Sequence, residues 1–431
     1  MKRKEVKIIG GGLAGCEAAF YLLKKGYEVT LFERKPLVKD GAHESEYLGE
    51  LVCSNSLKSK EITNACGLLK EEIARLGSIM MLAASFSSIP GGNALTVDRT
   101  LFAKKIHETL LSFPSFHLIR EEVTSLDDNP IILATGPLTS GVLLDKISEI
   151  VGSKNFSFFD ASAPIVAKDS LDFSKVYCKS RFSQDDGAYL NCPFSKDEYV
   201  RFVNELIHAD RALTHEFDTH YFEGCLPIEI MAGRGSETLR HGMLKPFGLS
   251  VESHPKPYAV AQLRQDTKLG DYYNLVGFQT NLTYPEQKRV FSLIPGLENA
   301  RFIRYGLMHR NSYLNAPIAL NEDLSLRKAP NVYIAGQFSG VEGYVESAMT
   351  GIIAAINLDR KLRGERFINV PSSTMSGALI DYILHANSTY FAPMNANWAL
   401  FPNSSKATRE ITIEVARNAL QSYLERIDES N

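Results

Sequence analysis

The 431 residues carry a formal net charge of -3, with 44% hydrophobic and 23% charged side chains. This composition excludes a disordered chain and a protein with a basic surface all round, so any nucleic-acid site must be a local cationic patch. The length suggests two or three domains, and it is sufficient to bury a large core.

The cysteines form neither a C-x-x-C pair nor a zinc-ligand spacing, so we expect no disulfide framework and no metal site. No apolar stretch of signal-peptide length follows the N-terminal residues. The most apolar run, residues 351–357, is too short to span a membrane. We therefore expect a cytoplasmic protein that makes no membrane contact.

The first elements along the chain form a strand–helix–strand unit. Residues 6–9 predict a strand, and residues 13–25 have apolar positions at helical spacing before Gly26. Residues 29–32 predict the second strand. This βαβ opening predicts an α/β fold with a doubly wound parallel sheet.

Later segments extend this arrangement towards the far end of the chain. Residues 131–134 and 332–335 predict further strands, and residues 347–358 predict a helix rich in small side chains. The intervening stretch lacks the βαβ rhythm and has mixed short segments. The expected division is a discontinuous Rossmann-like domain at residues 1–150 and 315–370, an inserted α+β substrate or RNA domain at 155–310, and a C-terminal helical segment at 371–431.

The turn after the first strand has the pattern G-x-G-x-x-G, formed by Gly10, Gly12 and Gly15. The first glycine permits the tight turn, the second lets the backbone approach a pyrophosphate, and the third lets helix and strand pack closely. Phosphates would meet the free N–H groups at the helix N-terminus, and Glu33, about 20 residues on, suits a ribose hydroxyl. The alternative is a turn that merely tolerates glycine. The predicted cofactor contacts here are Gly10, Gly11, Gly12, Leu13, Ala14, Gly15 and Glu33.

FAD and NAD share this motif. The strand ends at residues 134–136 (ATG) and 335–337 (AGQ) are typical of two-part flavoprotein domains, so they favour FAD. The second of them runs into a helix N-terminus where a flavin ring and its ribityl chain would lie, although the same residues could simply cap the helix. The predicted FAD contacts at these two places are Thr135, Gly136, Gly336, Gln337, Gly340, Gly343 and Tyr344.

Nine further segments of the chain are distinctive when they are taken together. They are residues 50–57 (ELVCSNSL), 63–72 (TNACGLLKEE), 134–140 (ATGPLTS), 189–193 (YLNCP), 222–229 (FEGCLPIE), 262–266 (QLRQD), 276–280 (VGFQT), 305–311 (YGLMHRN) and 340–347 (GVEGYVES). With these segments the chain resembles one family, the folate- and FAD-dependent tRNA (uracil-5-)-methyltransferases. The resemblance extends from the first strand to residues 393–397 (PMNAN).

The resemblance implies that methylenetetrahydrofolate supplies a carbon and reduced FAD supplies electrons. Carbon 5 of a uridine in the T-loop of tRNA would receive the methyl group, and NADH or NADPH would reduce the flavin. Some relatives modify a uridine of 23S ribosomal RNA, so ribosomal RNA is the alternative substrate. The sequence does not predict the oligomeric state.

The resemblance also implies two catalytic thiols, Cys225 as the nucleophile and Cys53 as a second thiol near the flavin. Uracil carbon 5 is a poor nucleophile until a thiolate adds at carbon 6. Cys53 is followed by residues of helix-capping type, and a helix N-terminus lowers a thiol pKa. The other cysteines are expected to be small buried hydrophobic side chains: Cys16, Cys66, Cys178 and Cys192.

Two other functions stay open: a flavin oxidoreductase that acts on a small molecule, and a non-catalytic RNA-binding flavoprotein. The cysteine motifs favour the methyltransferase, because simple hydride transfer needs neither thiol. His309 would serve either flavin or folate, and Tyr344 would stack on one of them or belong to the core. Cations that would contact RNA phosphates, or lie on an ordinary solvated surface, are Arg234, Arg240, Lys245, Arg264, Lys288, Arg289, Arg304 and Arg310.

Overall fold

The structure is a computed structural model that describes residues 4–38, 43–139, 141–152, 156–181, 189–212, 226–401 and 404–428. Numbered along the chain, its strands are β1 (Glu5–Ile9), β2 (Glu28–Glu33), β3 (Ser56–Ser59), β4 (Ser88–Ile89), β5 (Ala94–Val97), β6 (Phe116–Arg120), β7 (Ile131–Leu133), β8 (Phe156–Ala161), β9 (Ile165–Ala167), β10 (Tyr177–Cys178), β11 (Tyr189–Phe194), β12 (Ala259–Gln265), β13 (Tyr272–Leu275), β14 (Phe302–Arg304), β15 (Met308–Tyr313), β16 (Ser325–Leu326) and β17 (Ala329–Ile334). The helices are α1 (Leu13–Lys24), α2 (Ala65–Arg75), α3 (Ile79–Ser87), α4 (Arg99–Leu111), α5 (Gly141–Val151), α6 (Lys196–His208), α7 (Ile228–Gly233), α8 (Thr238–His241), α9 (Tyr284–Phe291), α10 (Ala316–Ala319), α11 (Tyr344–Arg363), α12 (Met375–His385) and α13 (Arg409–Asp428).

A six-stranded sheet in the order β16–β17–β7–β1–β2–β6 forms the centre of the dinucleotide-type fold. Its pairs are parallel except for β16–β17 at the edge. β1 lies between the next strand along the chain, β2, and the much later β7, so the strand order reverses there. Such a reversal opens a crevice at the carboxyl ends of the strands. The predicted doubly wound α/β fold is confirmed.

Helices α1 and α11 cross over this sheet at very short range. A Cβ at Gly351 would lie 2.2 Å from the carbonyl oxygen of Ala14, so only glycine fits at that crossing. The small side chains predicted for residues 347–358 are the reason that the two backbones can approach so closely. This packing fixes the N-termini of both helices on the same side of the sheet.

A second six-stranded sheet is antiparallel, in the order β10–β11–β12–β13–β9–β14. Its core includes Phe202, Phe278 and Phe291, whose rings contact one another in sequence. There are two smaller antiparallel sheets in the described residues. One pairs β15 with β8, and the other has three strands in the order β3–β5–β4. The antiparallel sheet with its helices accords with an inserted α+β region, while the exact domain bounds stay a prediction.

The C-terminal helices share the core of the first sheet. Glu72 in α2 accepts hydrogen bonds from the N–H groups of Met375 and Ser376, both 2.8 Å, at the start of α12. Burial raises the pKa of this carboxyl group. Arg417 in α13 also forms a two-pronged ion pair with Glu71. In the part of the chain that the structure describes, no helix combines the length and apolarity needed to cross a membrane.

Candidate functional site

Two glycines of the turn between β1 and α1 are required by the protein's own backbone. Gly10 has φ of 104°, and a Cβ there would lie 2.4 Å from the carbonyl oxygen of Ala134. A Cβ at Gly15 would lie 1.9 Å from the carbonyl oxygen of Gly10. These contacts match the tight turn and close packing expected of the first and third glycines.

Gly12 differs, because a Cβ placed on it would meet nothing within 4 Å. It is the N-cap of α1 and provides no side-chain cap, and the first turn of α1 contains no acidic residue. The first N–H groups of a helix have no partner within it, and the space beside Gly12 is open, so a pyrophosphate fits at this helix N-terminus. Leu13 and Ala14 have buried side chains, so only their backbone groups are available to a ligand.

Glu33 is held at the end of β2 by two backbone donors. One carboxylate oxygen accepts from the Gly11 N–H and the other from the Lys35 N–H, both at 2.9 Å. The carboxylate borders a cleft of about 90 Å³ that Gly10 and Thr135 also line. Each oxygen keeps a second lone pair, so the group can still accept a hydrogen bond from a ribose hydroxyl.

The turn after β7 separates this first cleft from a second one. The Thr135 and Thr139 hydroxyl oxygens are 2.5 Å apart, and Thr139 donates to the Gly136 carbonyl at 2.7 Å. Leu138 in the same turn lines both clefts. A dinucleotide that lay along the carboxyl ends of the strands would therefore pass from one cleft to the other over this turn.

The second cleft, of about 260 Å³, brings Cys53 together with the late strand end. Its lining includes Cys53, Gln337, Gly343 and Tyr344. Gly340 shapes the chain beside it, since a Cβ there would lie 2.4 Å from the Phe391 ring. Residues that are far apart in the sequence thus meet at the place expected for a flavin ring.

Tyr344 fixes the backbone and the sulfur of Cys53. Its hydroxyl oxygen accepts from the N–H groups of Cys53 at 2.8 Å and Ser54 at 3.2 Å, and it lies 3.0 Å from the Cys53 Sγ. Burial, followed by the nearby Cys53, raises the Tyr344 pKa well above its usual value, so the phenol keeps its proton. Since both lone pairs accept N–H groups, we infer that the O–H donates to the sulfur.

Arg99 places a buried positive charge at the loop that carries this thiol. Its Nε is 3.1 Å from an Asp266 carboxylate oxygen, and its Nη1 donates to the Leu51 carbonyl at 3.2 Å. Burial alone would lower the Arg99 pKa, but Asp266, then Tyr344 and Cys53, raise it above its usual value. A fixed cation near a cysteine favours the thiolate form.

The expectation that Cys53 precedes a helix is wrong, since residues 51–55 form a loop that leads into strand β3. The capping-type side chains after Cys53 contact β12 instead. Arg264 donates to the Ser54 Oγ at 2.8 Å and to the Asn55 Oδ1 at 3.1 Å, and the Asn55 amide donates to the Gln265 carbonyl at 2.9 Å. The thiol is therefore surrounded by side chains rather than by a helix dipole.

Sequence reasoning missed Arg99 and Asp266, and it suggested Arg264 for RNA contact. Arg264 is only 8% exposed, so it holds the Cys53 loop from the inside. The segment 262–266 was singled out by the resemblance, which was the available signal for this role. Arg99 lies directly after the N-cap of α4, Asp98, and nothing in its local pattern distinguishes it from a solvated helix residue.

Other predicted cations are engaged in local contacts. Arg240 pairs with Glu237 and lies 4.2 Å from the centre of the Tyr258 ring. Arg289 pairs with Glu286 and Glu205, and Arg304 with Glu44. These residues are less available to RNA phosphates than the sequence suggested.

The cysteines divide as follows. Cys16, Cys66 and Cys192 are buried, as expected. Cys178 is exposed, and the expectation of burial was wrong, because it lies on the outward-facing position of the edge strand β10. Cys225 lies outside the described residues. The side chains of His309 and Arg310, on β15, also fall outside the described part.

Comparisons with known proteins agree with this architecture. The family model described as "Glucose inhibited division protein A" matches residues 5–366. Proteins named "Methylenetetrahydrofolate--tRNA-(uracil-5-)-methyltransferase TrmFO" are similar over nearly the whole chain. The one from Desulforudis audaxviator is 50% identical, with 92% of this chain and 91% of that protein covered, and the one from Lactobacillus gasseri is 48% identical, with 97% of each covered. The chain belongs to the TrmFO family.

A solved structure supports the fold separately. GidA from Aquifex aeolicus superposes with a TM-score of 0.69 at 17% identity, and the match covers 98% of this chain and 76% of that chain. At this identity the likeness concerns the fold alone. The family membership agrees with the resemblance carried by the sequence segments, and the relatives' name refers to tRNA rather than to ribosomal RNA.

Proposed function

We propose that this chain methylates carbon 5 of a tRNA uridine, with methylenetetrahydrofolate as the carbon donor and FAD as the redox cofactor. One observation carries the proposal: Cys53, Tyr344 and the late strand end line a single cleft, beside a turn that fits a dinucleotide pyrophosphate. A flavin oxidoreductase for small molecules would have no need of a thiol fixed at that place. The family membership supports the same reaction.

Different residues would bind the pyrophosphate, the ribose and the flavin ring of FAD. The first turn of α1 would bind the pyrophosphate, and Gly12 leaves the room for it. Glu33 would accept a hydrogen bond from a ribose hydroxyl, and Gln337 and Gly343, which line the second cleft, would border the flavin ring. Reduced FAD, when bound, would supply the electrons that convert the transferred carbon into a methyl group. We expect NADH or NADPH to provide those electrons, as the resemblance implies.

Two thiols carry the covalent chemistry on the uracil ring. The Cys225 thiolate adds at carbon 6, which makes carbon 5 nucleophilic, and carbon 5 then bonds to the methylene carbon of the folate. Loss of the carbon 5 proton expels tetrahydrofolate, two electrons and a proton reduce the resulting exocyclic methylene to a methyl group, and the thiolate is eliminated from carbon 6. Cys53 is held by Tyr344, and Arg99 binds the Leu51 carbonyl in the same loop. Cys53 either removes the proton from carbon 5 or assists the transfer of the methylene group. The T-loop of tRNA is the expected location of the uridine, and residues 155–310 are the expected RNA domain.

The first test is mass spectrometry of nucleosides from a deletion strain, with tRNA and ribosomal RNA analysed separately. We expect 5-methyluridine to disappear from tRNA and to return with the intact gene. Loss from 23S ribosomal RNA alone would overturn the tRNA assignment. Unchanged 5-methyluridine in both RNA classes would overturn the proposed function.

The second test separates the two thiols. RNA that contains 5-fluorouridine should trap the parent protein covalently, because fluorine cannot leave carbon 5 as a proton does. Cys225→Ala should bind FAD and trap nothing, while Cys53→Ala should be inactive and show whether addition at carbon 6 needs this thiol. Cys178→Ala, at an exposed cysteine, is the matched control and should behave like the parent. Full activity of Cys225→Ala would transfer the nucleophile role to Cys53.

A further inference from the structure

Three aromatic rings form a stack that ends at the protein surface. The Phe302 and Tyr305 ring centres are 5.3 Å apart with planes 12° from parallel, and the Tyr305 and Tyr284 centres are 5.0 Å apart at 18°. Phe302 packs against the core of the second sheet, whereas Tyr284 is 52% exposed. The stack therefore leads outward from the core and presents one ring to solvent.

The stack is held rigidly before any ligand arrives. Gln287 in α9 donates to the Gly306 carbonyl at 2.9 Å and accepts from the Gly306 N–H at 2.7 Å, which ties the segment of Tyr305 to the helix of Tyr284. A Cβ at Gly306 would lie 2.7 Å from the carbonyl oxygen of Ser162. Little conformational freedom remains to be lost when a flat ligand binds to the outer ring.

Both tyrosines are connected to the Cys53 cleft by short stretches of chain. Tyr284 follows the cleft residue Gln279 by five positions, and Tyr305 precedes the cleft residue Asn311 by six. At about 3.3–3.6 Å per residue, neither tyrosine can lie further than about 22 Å from the cleft residue it follows or precedes. A single RNA molecule can span that distance with a few nucleotides.

The exposed end of the stack also lies near cations. Lys288 is one helical turn after Tyr284 on α9, and Arg211 pairs through its backbone with Leu282, just before that helix. Both side chains are exposed. Arg211 also interacts electrostatically with the buried Glu229 carboxyl group, where it opposes the rise in pKa that burial causes. An exposed aromatic ring flanked by exposed cations is the arrangement that binds single-stranded nucleic acid.

We propose that the outer face of Tyr284 stacks against an unpaired base of the bound tRNA, with Lys288 and Arg211 contacting the neighbouring phosphates. This inference rests on the proposed tRNA function and adds a binding surface to it. Every base has a flat face, so the stack contributes affinity without choosing a sequence. The uridine to be modified would be bound in the cleft while another base of the same RNA lies on the stack.

The test measures the affinity of unmodified tRNA transcript for the FAD-loaded protein. Tyr284→Ala should weaken binding by about 5- to 150-fold, the range for loss of one stacked base, while Tyr284→Phe and Tyr284→Trp should retain it. Phe173→Ala removes another exposed aromatic of the second sheet region, and it should leave the affinity unchanged. FAD content and thermal unfolding identify any variant that has failed to fold.

Fluorescence provides a direct readout of stacking. The chain has a single tryptophan, Trp398, so the signal of an added Tyr284→Trp is obtained by difference from the parent. We expect tRNA to quench that added signal. If the parent neither binds nor methylates the transcript, the proposed function fails. If the parent binds and methylates the transcript and Tyr284→Ala binds it with the same affinity, this inference is overturned. A changed oligomeric state of Tyr284→Ala would also overturn it, because the stack would then be a contact between protein chains.

Discussion

The turn at residues 10–15, here called the pyrophosphate turn, and the loop at residues 51–55, here called the thiol loop, border neighbouring clefts but are built in different ways. The first owes its shape to glycines a few residues apart, as the contact of Gly15 with Gly10 shows. The second is held by Arg99, Arg264 and Tyr344, which lie far from it in the sequence. A local motif therefore reveals the first site, whereas only the fold assembles the second.

The largest expected effect separates two glycines of the pyrophosphate turn. Gly15→Ala should destabilise the protein without FAD by at least about 4 kcal/mol, because its Cβ would overlap the Gly10 carbonyl oxygen. Gly12→Val should lower that stability by no more than about 1 kcal/mol, the cost of a poor N-cap residue. It should abolish FAD binding, since its side chain would occupy the phosphate space. Urea unfolding of the FAD-free proteins and the absorbance of bound flavin provide the measurements. Equal stability of Gly15→Ala and the parent would contradict the packing argument.

The difference between the pyrophosphate turn and the thiol loop explains which parts of the structure could be predicted from the sequence. The parallel sheet followed from apolar strands with a glycine turn, because both signals are contained in short windows. The position of Cys53 before a helix was wrongly predicted, since the Ser54 and Asn55 side chains that suggested a cap are used by Arg264. That pairing joins residues more than two hundred positions apart, and no local pattern encodes it.

The burial of Arg264 gives the next largest effect, in the thiol loop. Arg264→Met should cost about 3 kcal/mol, because it leaves the Ser54 and Asn55 acceptors without their buried donor. Alkylation of Cys53, followed by peptide mass spectrometry, should also change, since the loop loses its support. Arg240→Met is the control: that side chain is 31% exposed and should cost less than about 1 kcal/mol. Similar losses for both variants would show that Arg264 is not the special support of the loop.

The region of the pyrophosphate turn also contains one long-range contact that titrates. Glu17 in α1 accepts from the N–H groups of Ile79 and Met80 at 3.1 and 3.0 Å, and burial raises its pKa to about 7. A carboxyl group with a raised folded-state pKa stabilises the fold fully below its unfolded pKa, near 4.5, and this contribution is lost as the pH rises through about 7. The parent should therefore lose about 2–3 kcal/mol over that window relative to Glu17→Gln.

Urea unfolding at several pH values between 4.5 and 8 compares the two proteins. The comparison uses the difference between the two proteins in the slope of unfolding free energy against pH, because all other groups titrate equally in both. Parallel curves would show that the Glu17 carboxyl group ionises alike in the folded and unfolded chains. If the free energy of unfolding falls more steeply with pH in the parent than in Glu17→Gln, the helix that follows the pyrophosphate turn also depends on a distant contact, the one between Glu17 and the start of α3.

The smallest expected effect on stability, and the sharpest on chemistry, concerns Tyr344. Tyr344→Phe leaves the Cys53 and Ser54 N–H groups without an acceptor, which should cost about 1–2 kcal/mol. It also removes the O–H that donates to the Cys53 sulfur. The thiolate then loses a stabilising partner, so alkylation of Cys53 near neutral pH should become several-fold slower, while FAD content stays at the parent level. Tyr390→Phe, at a tyrosine that is 83% exposed, should change neither quantity. Faster alkylation of Cys53 in Tyr344→Phe would reverse the assigned direction of this hydrogen bond. It would mean that the thiol donates to the phenol oxygen and that this bond stabilises the thiol over the thiolate.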